Sequence, residues 1–519
     1  MNTELKRKIG QMLLAGFPSP QVDEQATTLI NEFYVGNFAL FARNLLNARQ
    51  INALCRDLNQ RVYEHNGIAP IISTDQEGGI VSRAAIGSAL IPGAMSIAAS
   101  PEQKAYELSY SGAVALGALG INANHAPVLD VNMDPMNPII GCRSFSDDTE
   151  TVCRVGVDAL RGWQDGGIIA AVKHYPGHGN VNSDSHLGVP HNTSTRQQLE
   201  EQEWICFRKA FESGADALMT CHVVFDQVDP DRPGTISKKI MTELLRDDMG
   251  FKGVAITDCM EMGAIKDAYG IGPGAVMAIE AGCDILCFSH TLEAVSEAAN
   301  AIYEAVESSR ISEERIEQSY QRIIALKTKY NLLTPPQLSE EAALKALDSE
   351  EGKALAAKHS LASMTLMWDK GGLEALRNAK KPRFFAPASF ALTGAEDQEK
   401  IPVRISPMAA ERFGGDSYVI PLNELDEETC AAIEDPSYDV AVLGLYNARF
   451  RPNQEAILHK LEKDGRPLIV LLLGAPYDVS LIEKAECVIT AYEYTALSAV
   501  TLLDAIERNE FTGKLPVKV

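Results

Sequence analysis

The chain has 519 residues, of which 46% are hydrophobic and 23% are charged. This is the composition of a water-soluble globular protein that is long enough for at least two domains. Its formal net charge of −23 argues against a nucleic-acid-binding protein, because such proteins contact the phosphate backbone through clustered Lys and Arg. No apolar stretch approaches the roughly 20 residues of a membrane span, so a membrane protein is not expected.

The cysteines and the N-terminal residues indicate the cellular compartment of the protein. The ten cysteines are scattered without a CxxC pair, which predicts reduced thiols and neither a zinc site nor a disulfide framework. The short apolar run at 11–17 leads into Pro18-Ser19-Pro20 without a convincing cleavage site for a secretion signal. We therefore expect a cytoplasmic protein.

Short apolar runs alternate with segments of helical periodicity through the first two thirds of the chain. The predicted strands lie at 11–17, 37–41, 70–74, 122–129, 168–173, 216–221, 253–257 and 284–288. Eight strand-then-helix units indicate a (β/α)₈ barrel of the TIM type. We assign this barrel to residues 1–333, because Thr334-Pro335-Pro336 breaks the last helix.

A second alternation of strands and helices follows a helical linker at 334–361. Its predicted strands lie at 362–367, 383–386, 417–420, 439–444, 467–472 and 487–491. The pattern predicts a smaller, open α/β sandwich domain over residues 362–519. Because neither a GxGxxG motif nor a P-loop is present, nothing in the sequence supports a nucleotide-binding role.

Polar residues follow the ends of several predicted barrel strands, and in a barrel these ends share one rim where chemistry is expected. They are Arg43, Asn44, Asp75, Asp130, Lys173, His174, His222 and Asp258. Taken alone, Asp258 is either an acceptor for loop amides or a catalytic carboxylate. Asp130 is either a loop brace or a ligand contact.

The longest polar stretch follows the predicted strand at 168–173. It reads Lys173-His174-Tyr175-Pro176-Gly177-His178-Gly179-Asn180-Val181-Asn182-Ser183-Asp184-Ser185-His186. Its Pro and Gly residues exclude a helix, so His174 and His178 do not share a helical face as two zinc ligands would. In Asp184-Ser185-His186 a carboxylate lies within reach of an imidazole and raises its basicity, which makes a general acid/base that works near neutral pH.

Asp258 and His186 together supply a nucleophilic carboxylate and a proton donor. This pair is what glycosidic cleavage with retention of configuration requires.

The polar loop resembles the signature of the family 3 glycoside hydrolases of the β-N-acetylhexosaminidase branch. Further segments that resemble the same family, in the same order, are Phe41-Ala42-Arg43-Asn44, Asp75-Gln76-Glu77-Gly78-Gly79, Ala126-Pro127-Val128-Leu129-Asp130, Gly141-Cys142-Arg143-Ser144-Phe145 and Thr257-Asp258. The resemblance covers residues 1–333 and continues more weakly into the second domain of two-domain members, for example through Ala491-Tyr492-Glu493-Tyr494-Thr495.

The resemblance implies a role for each matching residue. Asp258 would attack the anomeric carbon and form a glycosyl-enzyme intermediate, and His186, paired with Asp184, would protonate the leaving oxygen and later activate water. The positions that would bind the N-acetylglucosamine hydroxyls are Asp75, Arg83, Arg143, Lys173 and His174. The implied function is a retaining exo-β-N-acetylglucosaminidase that needs neither a metal nor a cofactor and acts on cell-wall-derived muropeptides or related β-glycosides during peptidoglycan recycling.

Several alternatives stay open at this point. A histidine donor does not repel phosphate, so a β-N-acetylglucosaminide phosphorylase is a variant of the same chemistry. A β-glucosidase on the same scaffold, a catalytically silent sugar-binding protein and a metal hydrolase using His174, His178 and His186 are the other candidates. The partner is expected to be a small-molecule glycoside, without nucleic acid or membrane. The aglycone, the role of the second domain and the choice between a monomer and a homodimer are not determined by the sequence.

Overall fold

The computed structural model describes residues 2–181, 189–396 and 402–519. The barrel strands are β1 (Leu13–Ala15), β2 (Asn37–Ala39), β3 (Ile71–Thr74), β4 (Ala123–Asn124), β5 (Ile169–Tyr175), β6 (Ala217–Thr220), β7 (Val254–Cys259) and β8 (Ile285–Phe288). Within the described residues these eight strands close a barrel in the order β1-β8-β7-β6-β5-β4-β3-β2, and every neighbouring pair is parallel. The predicted (β/α)₈ architecture is confirmed.

The barrel strands are apolar along most of their length because both faces are covered. All seven residues of β5 are buried, including Lys173 and His174 at its end. Two predicted strands are much shorter than expected: the run at 11–17 forms a strand only at Leu13–Ala15, and the run at 122–129 forms one only at Ala123–Asn124. Pro127, which follows a cis peptide bond, has no N–H to donate to a neighbouring strand.

Helices surround the barrel and form its outer layer. Those in the first two thirds of the chain are Thr3–Gln11, Glu24–Phe33, Ala48–Asn66, Ala94–Ala99, Ala105–Leu119, Thr149–Asp165, Arg196–Gln202, Trp204–Glu212, Gly263–Tyr269, Ile271–Ala281, Leu292–Glu307 and Glu313–Lys329, together with a π-helix at Lys239–Asp248. Short 3₁₀ turns occur at Ala42–Asn44, Gly87–Ala89, Gly141–Arg143 and Gly234–Ile236. No described helix is both long enough and apolar enough to cross a membrane.

Two small sheets lie outside the barrel. A two-stranded hairpin, Gln76–Gly78 with Val81–Ser82, follows β3. A second sheet joins His191–Asn192, Val224–Phe225 and Asp229–Pro233. The hairpin matters for the site, because it begins directly after the carboxyl end of β3 and turns back over the barrel mouth.

The second domain is a sheet with helices on both sides. Its strands are β9 (Thr365–Asp369), β10 (Pro382–Pro387), β11 (Asp416–Ile420), β12 (Val440–Leu445), β13 (Leu468–Leu472) and β14 (Cys487–Thr490). Within the described residues their order is β9-β14-β13-β12-β10-β11, and only the β9–β14 pair is antiparallel. The strand predicted at 362–367 begins only at Thr365, because the preceding helix continues to Ser363.

The helices after the barrel are Glu340–Leu347, Glu350–Ser363, Gly372–Asn378, Ile405–Phe413, Glu427–Glu434, Pro452–Asp464 and Ala496–Arg508, with 3₁₀ turns at Ala448–Phe450 and Pro476–Leu481. The first of them, Glu340–Leu347, contacts the barrel helices Ala48–Asn66 and Ala105–Leu119. The segment that joins the two sheets is therefore itself packed on the barrel.

The two domains are joined by buried polar contacts as well as by apolar packing. Glu493 accepts a hydrogen bond from the Gly93 amide through Oε2 at 2.6 Å, and burial raises the pKa of this carboxyl to about 7. Asn132 Nδ2 donates to the Tyr477 hydroxyl at 2.8 Å. Around these bonds Met95, Ala99, Ala475, Tyr477, Tyr492 and Val517 form a small apolar cluster. The second domain thus packs against the segments that follow β3 and β4.

Candidate active site

A cavity of about 540 Å³ opens at the carboxyl ends of the barrel strands. Its charged and imidazole-bearing lining residues are Arg43, Asp75, Glu77, Arg83, His125, Arg143, Lys173, His174, His178, Asp258, Glu261 and His290. Gly394 and Ala395 of the second domain complete one side. Five of the predicted rim residues, Arg43, Asp75, Lys173, His174 and Asp258, therefore line one cavity, whereas Asn44, Asp130 and His222 are not among its lining residues.

Lys173 is the central cation of the cavity. Its side chain is 3% exposed, and its Nζ lies 2.8 Å from Asp75 Oδ1 and 2.7 Å from Glu77 Oε1. Arg143 binds both oxygens of Glu77, through Nε to Oε2 at 2.9 Å and through Nη2 to Oε1 at 2.7 Å, so Oε1 is shared with Lys173. Positive and negative side chains therefore alternate in this network. Each buried charge has a neighbour of opposite sign, which offsets the cost of removing it from water.

The charge network sets the ionisation of its carboxyls. Burial by itself would raise the pKa of both, but Lys173 holds the pKa of Asp75 well below its ordinary value. Arg143, with Lys173, lowers the pKa of Glu77 to about 2. In turn the two carboxylates outweigh the effect of burial on Lys173 and raise its pKa. All of these groups are therefore charged across the neutral range.

Asp75 also faces Arg83, the second of the two arginines that are predicted to bind the sugar. Arg83 Nε lies 4.0 Å from Asp75 Oδ2, and Arg83 Nη2 donates to the Ala395 carbonyl at 2.8 Å. His125 approaches the opposite Asp75 oxygen, with Nδ1 3.6 Å from Oδ1. A carboxylate with partners on both oxygens keeps a fixed orientation, so Asp75 presents a defined acceptor to the cavity.

His174 is held by Asp130, which sequence analysis left undecided between a brace and a ligand contact. Asp130 Oδ2 lies 2.6 Å from His174 Nδ1, and Asp130 Oδ1 accepts from the His178 amide at 2.7 Å. Because a carboxylate only accepts, His174 Nδ1 carries the hydrogen and Nε2 faces the cavity, 3.4 Å from Arg143 Nη2. Asp130 therefore braces the end of β5 and orients its imidazole.

Asp258 is the next-to-last residue of β7 and is partly exposed at the cavity wall. Its Oδ1 accepts from the Cys259 amide at 2.7 Å, and its own amide lies 3.4 Å from Thr220 Oγ1. Nearby His222 bonds Thr235 Oγ1 and the Cys259 carbonyl at 2.8 and 3.0 Å. Asp258 is thus fixed by backbone and strand contacts while its carboxylate borders the cavity.

Asp184 and His186 lie outside the described residues. The described part of their loop is anchored by Glu203, which is buried between the loop and the helix Trp204–Glu212. Glu203 Oε1 accepts from the Gly179 amide at 3.1 Å, and Oε2 accepts from Asn192 Nδ2 at 3.1 Å. The distance between Asp258 and His186 stays untested, and the role of His186 stays a prediction.

Three contributors to the site were missed by sequence reasoning. The sequence predicts no separate role for Glu77, although its position two residues after Asp75, on a hairpin, is the signal that could have indicated one. Glu261 borders the cavity and accepts from the His290 and Thr291 amides at 2.7 and 3.1 Å. Ala395, from the second domain, had no signal in the barrel sequence at all.

Among the described residues, the histidines and acids of the site form no metal cluster. No group of three or more His, Cys, Asp or Glu side chains within the described residues has an arrangement that could hold a metal ion. His174 and His178 lie with ring centroids 5.8 Å apart in an edge-on contact.

Comparison with known proteins identifies the class to which this site belongs. Residues 4–326 match the family described as "Glycosyl hydrolase family 3 N terminal domain". The chain therefore belongs to glycoside hydrolase family 3, and the predicted family and enzyme class are confirmed.

Relatives with assigned names resemble the chain over different lengths. The "Beta-hexosaminidase A" of Pseudoalteromonas piscicida is 28% identical over 95% of this chain and 91% of its own length. The "Beta-hexosaminidase" of Stenotrophomonas maltophilia strain R551-3 is 31% identical over 56% of this chain and 87% of its own length. The second match spans little more than half of this chain.

Solved structures match over both domains. A glycoside hydrolase family 3 β-N-acetylglucosaminidase from Paenibacillus sp. str. FPU-7 superposes with a TM-score of 0.91 and 35% identity, over 99% of this chain and 98% of that one. The beta-glucoside phosphorylase BglX superposes with a TM-score of 0.81 at 20% identity, over 100% of this chain and 97% of that one. The latter likeness shows a shared fold.

We predict that Glu77→Gln destabilises the protein in a pH-dependent way. A folded-state pKa of about 2 against an ordinary 4.5 corresponds to about 3 kcal/mol of stability at neutral pH. The sign follows from the depressed pKa: this contribution is present above about pH 4.5 and is lost as the pH falls towards about 2. Urea unfolding of wild type and variant should therefore differ by about 3 kcal/mol near pH 7 and by progressively less below about pH 4.5.

Glu280→Gln is the matched control, because Glu280 forms a similar two-bonded pair with Arg310 at the surface, at 2.8 and 3.0 Å. Exposed pairs of this kind contribute about 1 kcal/mol or less. The assigned network would be contradicted if both variants lost the same free energy of unfolding. It would also be contradicted if the destabilisation by Glu77→Gln did not change with pH.

Proposed function

We propose that this chain is a retaining exo-β-N-acetylglucosaminidase that releases terminal N-acetylglucosamine from β-glycosides. The observation that carries the proposal is the arrangement of Asp75, Lys173, Glu77 and Arg143, with Asp258 on the wall of the same cavity. The names of the relatives support the sugar: two are called β-hexosaminidases, and one solved structure is a β-N-acetylglucosaminidase.

The charge network suits a sugar ring better than an apolar ligand. Carboxylates that stay ionised accept hydrogen bonds from hydroxyls, and the neighbouring cations donate to hydroxyl oxygens. We assign Asp75, Arg83, Arg143, Lys173 and His174 to these contacts. Because each of these side chains is already oriented by a protein partner, little conformational entropy is lost when a sugar binds.

The reaction proceeds by two successive displacements at the anomeric carbon, with Asp258 as the nucleophile and His186 as the acid and then the base. Asp258 attacks the anomeric carbon, the bond to the leaving oxygen breaks, and His186, oriented by Asp184, gives its proton to that oxygen. In the second half, His186 takes a proton from water, the water oxygen replaces Asp258 at the anomeric carbon, and the carboxylate is regenerated. Two inversions give net retention.

The site favours release of single sugars from a chain end. The cavity of about 540 Å³ falls in the range of small-ligand pockets, and Gly394 and Ala395 border one side of it. We propose muropeptide fragments of the cell wall as natural substrates and the cytoplasm as the compartment. The scattered cysteines, none of which lies in a CxxC pair, support a reducing compartment.

The experiment that tests the activity compares two chromogenic substrates, nitrophenyl β-N-acetylglucosaminide and nitrophenyl β-glucoside. We expect kcat/KM to be at least about 100-fold higher for the former, since a pocket built to hydrogen-bond a substituent discriminates strongly against its absence. Nuclear magnetic resonance of the first product should show the β-anomer. A preference for the glucoside would favour the β-glucosidase alternative.

The same assay, run with added phosphate, separates hydrolysis from phosphorolysis. Hydrolysis gives free N-acetylglucosamine at a rate that phosphate does not change, whereas a phosphorylase gives the sugar 1-phosphate. Retention of activity after exhaustive chelation is expected, and its loss would favour the metal-hydrolase alternative.

The assignment of the nucleophile predicts that Asp258→Asn lowers kcat by more than about 1,000-fold while sugar binding changes by only a few fold, because the amide keeps the shape but cannot attack. An activated 5-fluoro N-acetylglucosaminyl fluoride should label wild type on the tryptic peptide 253–266. This peptide also contains Glu261, so fragment masses must place the label on Asp258. The exposed Asp267→Asn is the matched control and should behave as wild type. A label on Glu261 would overturn the assignment.

The assignment of the proton donor predicts that the loss in His186→Ala depends on the leaving group. A nitrophenolate or better leaving group needs little help, whereas a sugar alcohol must be protonated as it departs, so the loss should be about 100-fold larger for a disaccharide than for a dinitrophenyl glycoside. The exposed His191, paired with Asp226 at 2.7 Å, gives the control His191→Ala. Equal losses on both substrates would rule out the proposed role.

A further inference from the structure

Two cysteines that are far apart in the sequence meet on the outer layer of the barrel. Cys153 lies on the helix Thr149–Asp165, Cys206 lies on the helix Trp204–Glu212, and their Sγ atoms are 2.7 Å apart. A disulfide bond is about 2.0 Å long. The distance between the two sulfurs is therefore only slightly longer than a disulfide bond. A small movement of either side chain would bring them to bonding distance.

We propose that Cys153 and Cys206 are a redox-active dithiol that forms a disulfide linking these two barrel helices. The oxidant is a low-molecular-weight disulfide such as oxidised glutathione. The proposal concerns the fold of the barrel and does not depend on the proposed function.

The surroundings assign different roles to the two thiols. Cys153 is partly exposed, whereas Cys206 is buried. The Cys206 thiol, by donating to the Cys153 sulfur, lowers the pKa of Cys153, and nearby Lys209 acts in the same direction against burial and Asp148. The accessible sulfur is thus the better thiolate, which is the species that attacks a disulfide.

The exchange balances in two steps. The Cys153 thiolate attacks one sulfur of the oxidant, the oxidant's S–S bond breaks, and one thiolate leaves to give a mixed disulfide. Cys206 then gives up its proton to the departing thiolate, its sulfur attacks Cys153, and the second small thiol leaves. Counting the proton that Cys153 released when it formed its thiolate, the protein loses two protons and two electrons in forming one S–S bond, and the oxidant takes up both to become two thiols.

The bond would close a long loop at a place that matters for the site. The two cysteines are 53 positions apart, and cross-links that close long loops stabilise mainly by restricting the unfolded chain. The helix of Cys206 starts directly after Glu203, whose carboxyl accepts the Gly179 amide at 3.1 Å. Oxidation therefore adds a covalent tie next to the anchor of the loop that follows β5.

The experiment uses the full-length protein, reduced, freed of reductant and then incubated with oxidised glutathione. Remaining thiols are alkylated, and the protein is digested with trypsin without reduction. Cys153 falls in the tryptic peptide 144–154 and Cys206 in 197–208, and neither peptide contains a second cysteine. We expect these two peptides linked to each other, and an upward shift of several degrees in the thermal unfolding midpoint that dithiothreitol reverses.

Two variants separate the proposed bond from other thiol chemistry. Cys153→Ser should abolish both the linked peptide and the thermal shift. Cys430→Ser is the matched control, because Cys430 is also partly exposed but lies in the second domain, and it should keep both. Stable glutathione on Cys153 without the link, a link between other cysteines, or a link without a thermal shift would each overturn the proposal.

Discussion

The site depends on one buried ammonium group that lies between two carboxylates. Lys173 reaches Asp75 and Glu77 at 2.8 and 2.7 Å, and Arg143 balances the second of them. Removing any one of these side chains leaves an uncompensated buried charge, which costs several kcal/mol in proteins. The strand β3, the hairpin after it, the end of β5 and the turn at Gly141–Arg143 must therefore keep their relative positions for the barrel mouth to be stable at all. The same constraint keeps the side chains that we propose as sugar-binding groups in fixed positions.

The end of β5 joins this charge network to the loop beyond it. Lys173 faces Asp75, the adjacent His174 turns to Asp130, and the amide of His178 bonds the same Asp130. One residue further, the Gly179 amide bonds Glu203, which precedes the helix of Cys206. A chain of buried acceptors thus runs from the cavity to the outer helices. Because these acceptors hold the Lys173 ammonium group, the His174 ring and two backbone amides, the positions of Lys173 and His174 follow from the packing of the barrel.

Much of this architecture is predictable from the sequence because it repeats or is local. Alternating apolar runs indicated the barrel, and polar residues at strand ends indicated the rim, including Asp75, Lys173 and Asp258. The features that the sequence did not predict are contacts that depend on the tertiary structure. The bridging role of Glu77 depends on where a hairpin folds back, the Ala395 carbonyl comes from another domain, and Cys153 and Cys206 meet only when two helices pack. No short-range sequence pattern encodes such tertiary contacts. The strand β4 is shorter than the apolar run predicts, because Pro127 has no N–H to donate to a neighbouring strand.

The contact between the hairpin and the second domain restricts how this chain can diversify. Gly79 has a φ of +58°, and a Cβ there would lie 2.3 Å from Glu493 Oε2 and 2.8 Å from the Gly93 Cα. Position 79 belongs to the loop after Asp75 and Glu77, whereas Glu493 belongs to the other domain. Exchange of the second domain for an unrelated module by recombination would leave the Gly93 amide without its acceptor and the hairpin without its neighbour. A recombined chain would therefore need a new acceptor for the Gly93 amide and a new neighbour for the hairpin at position 79.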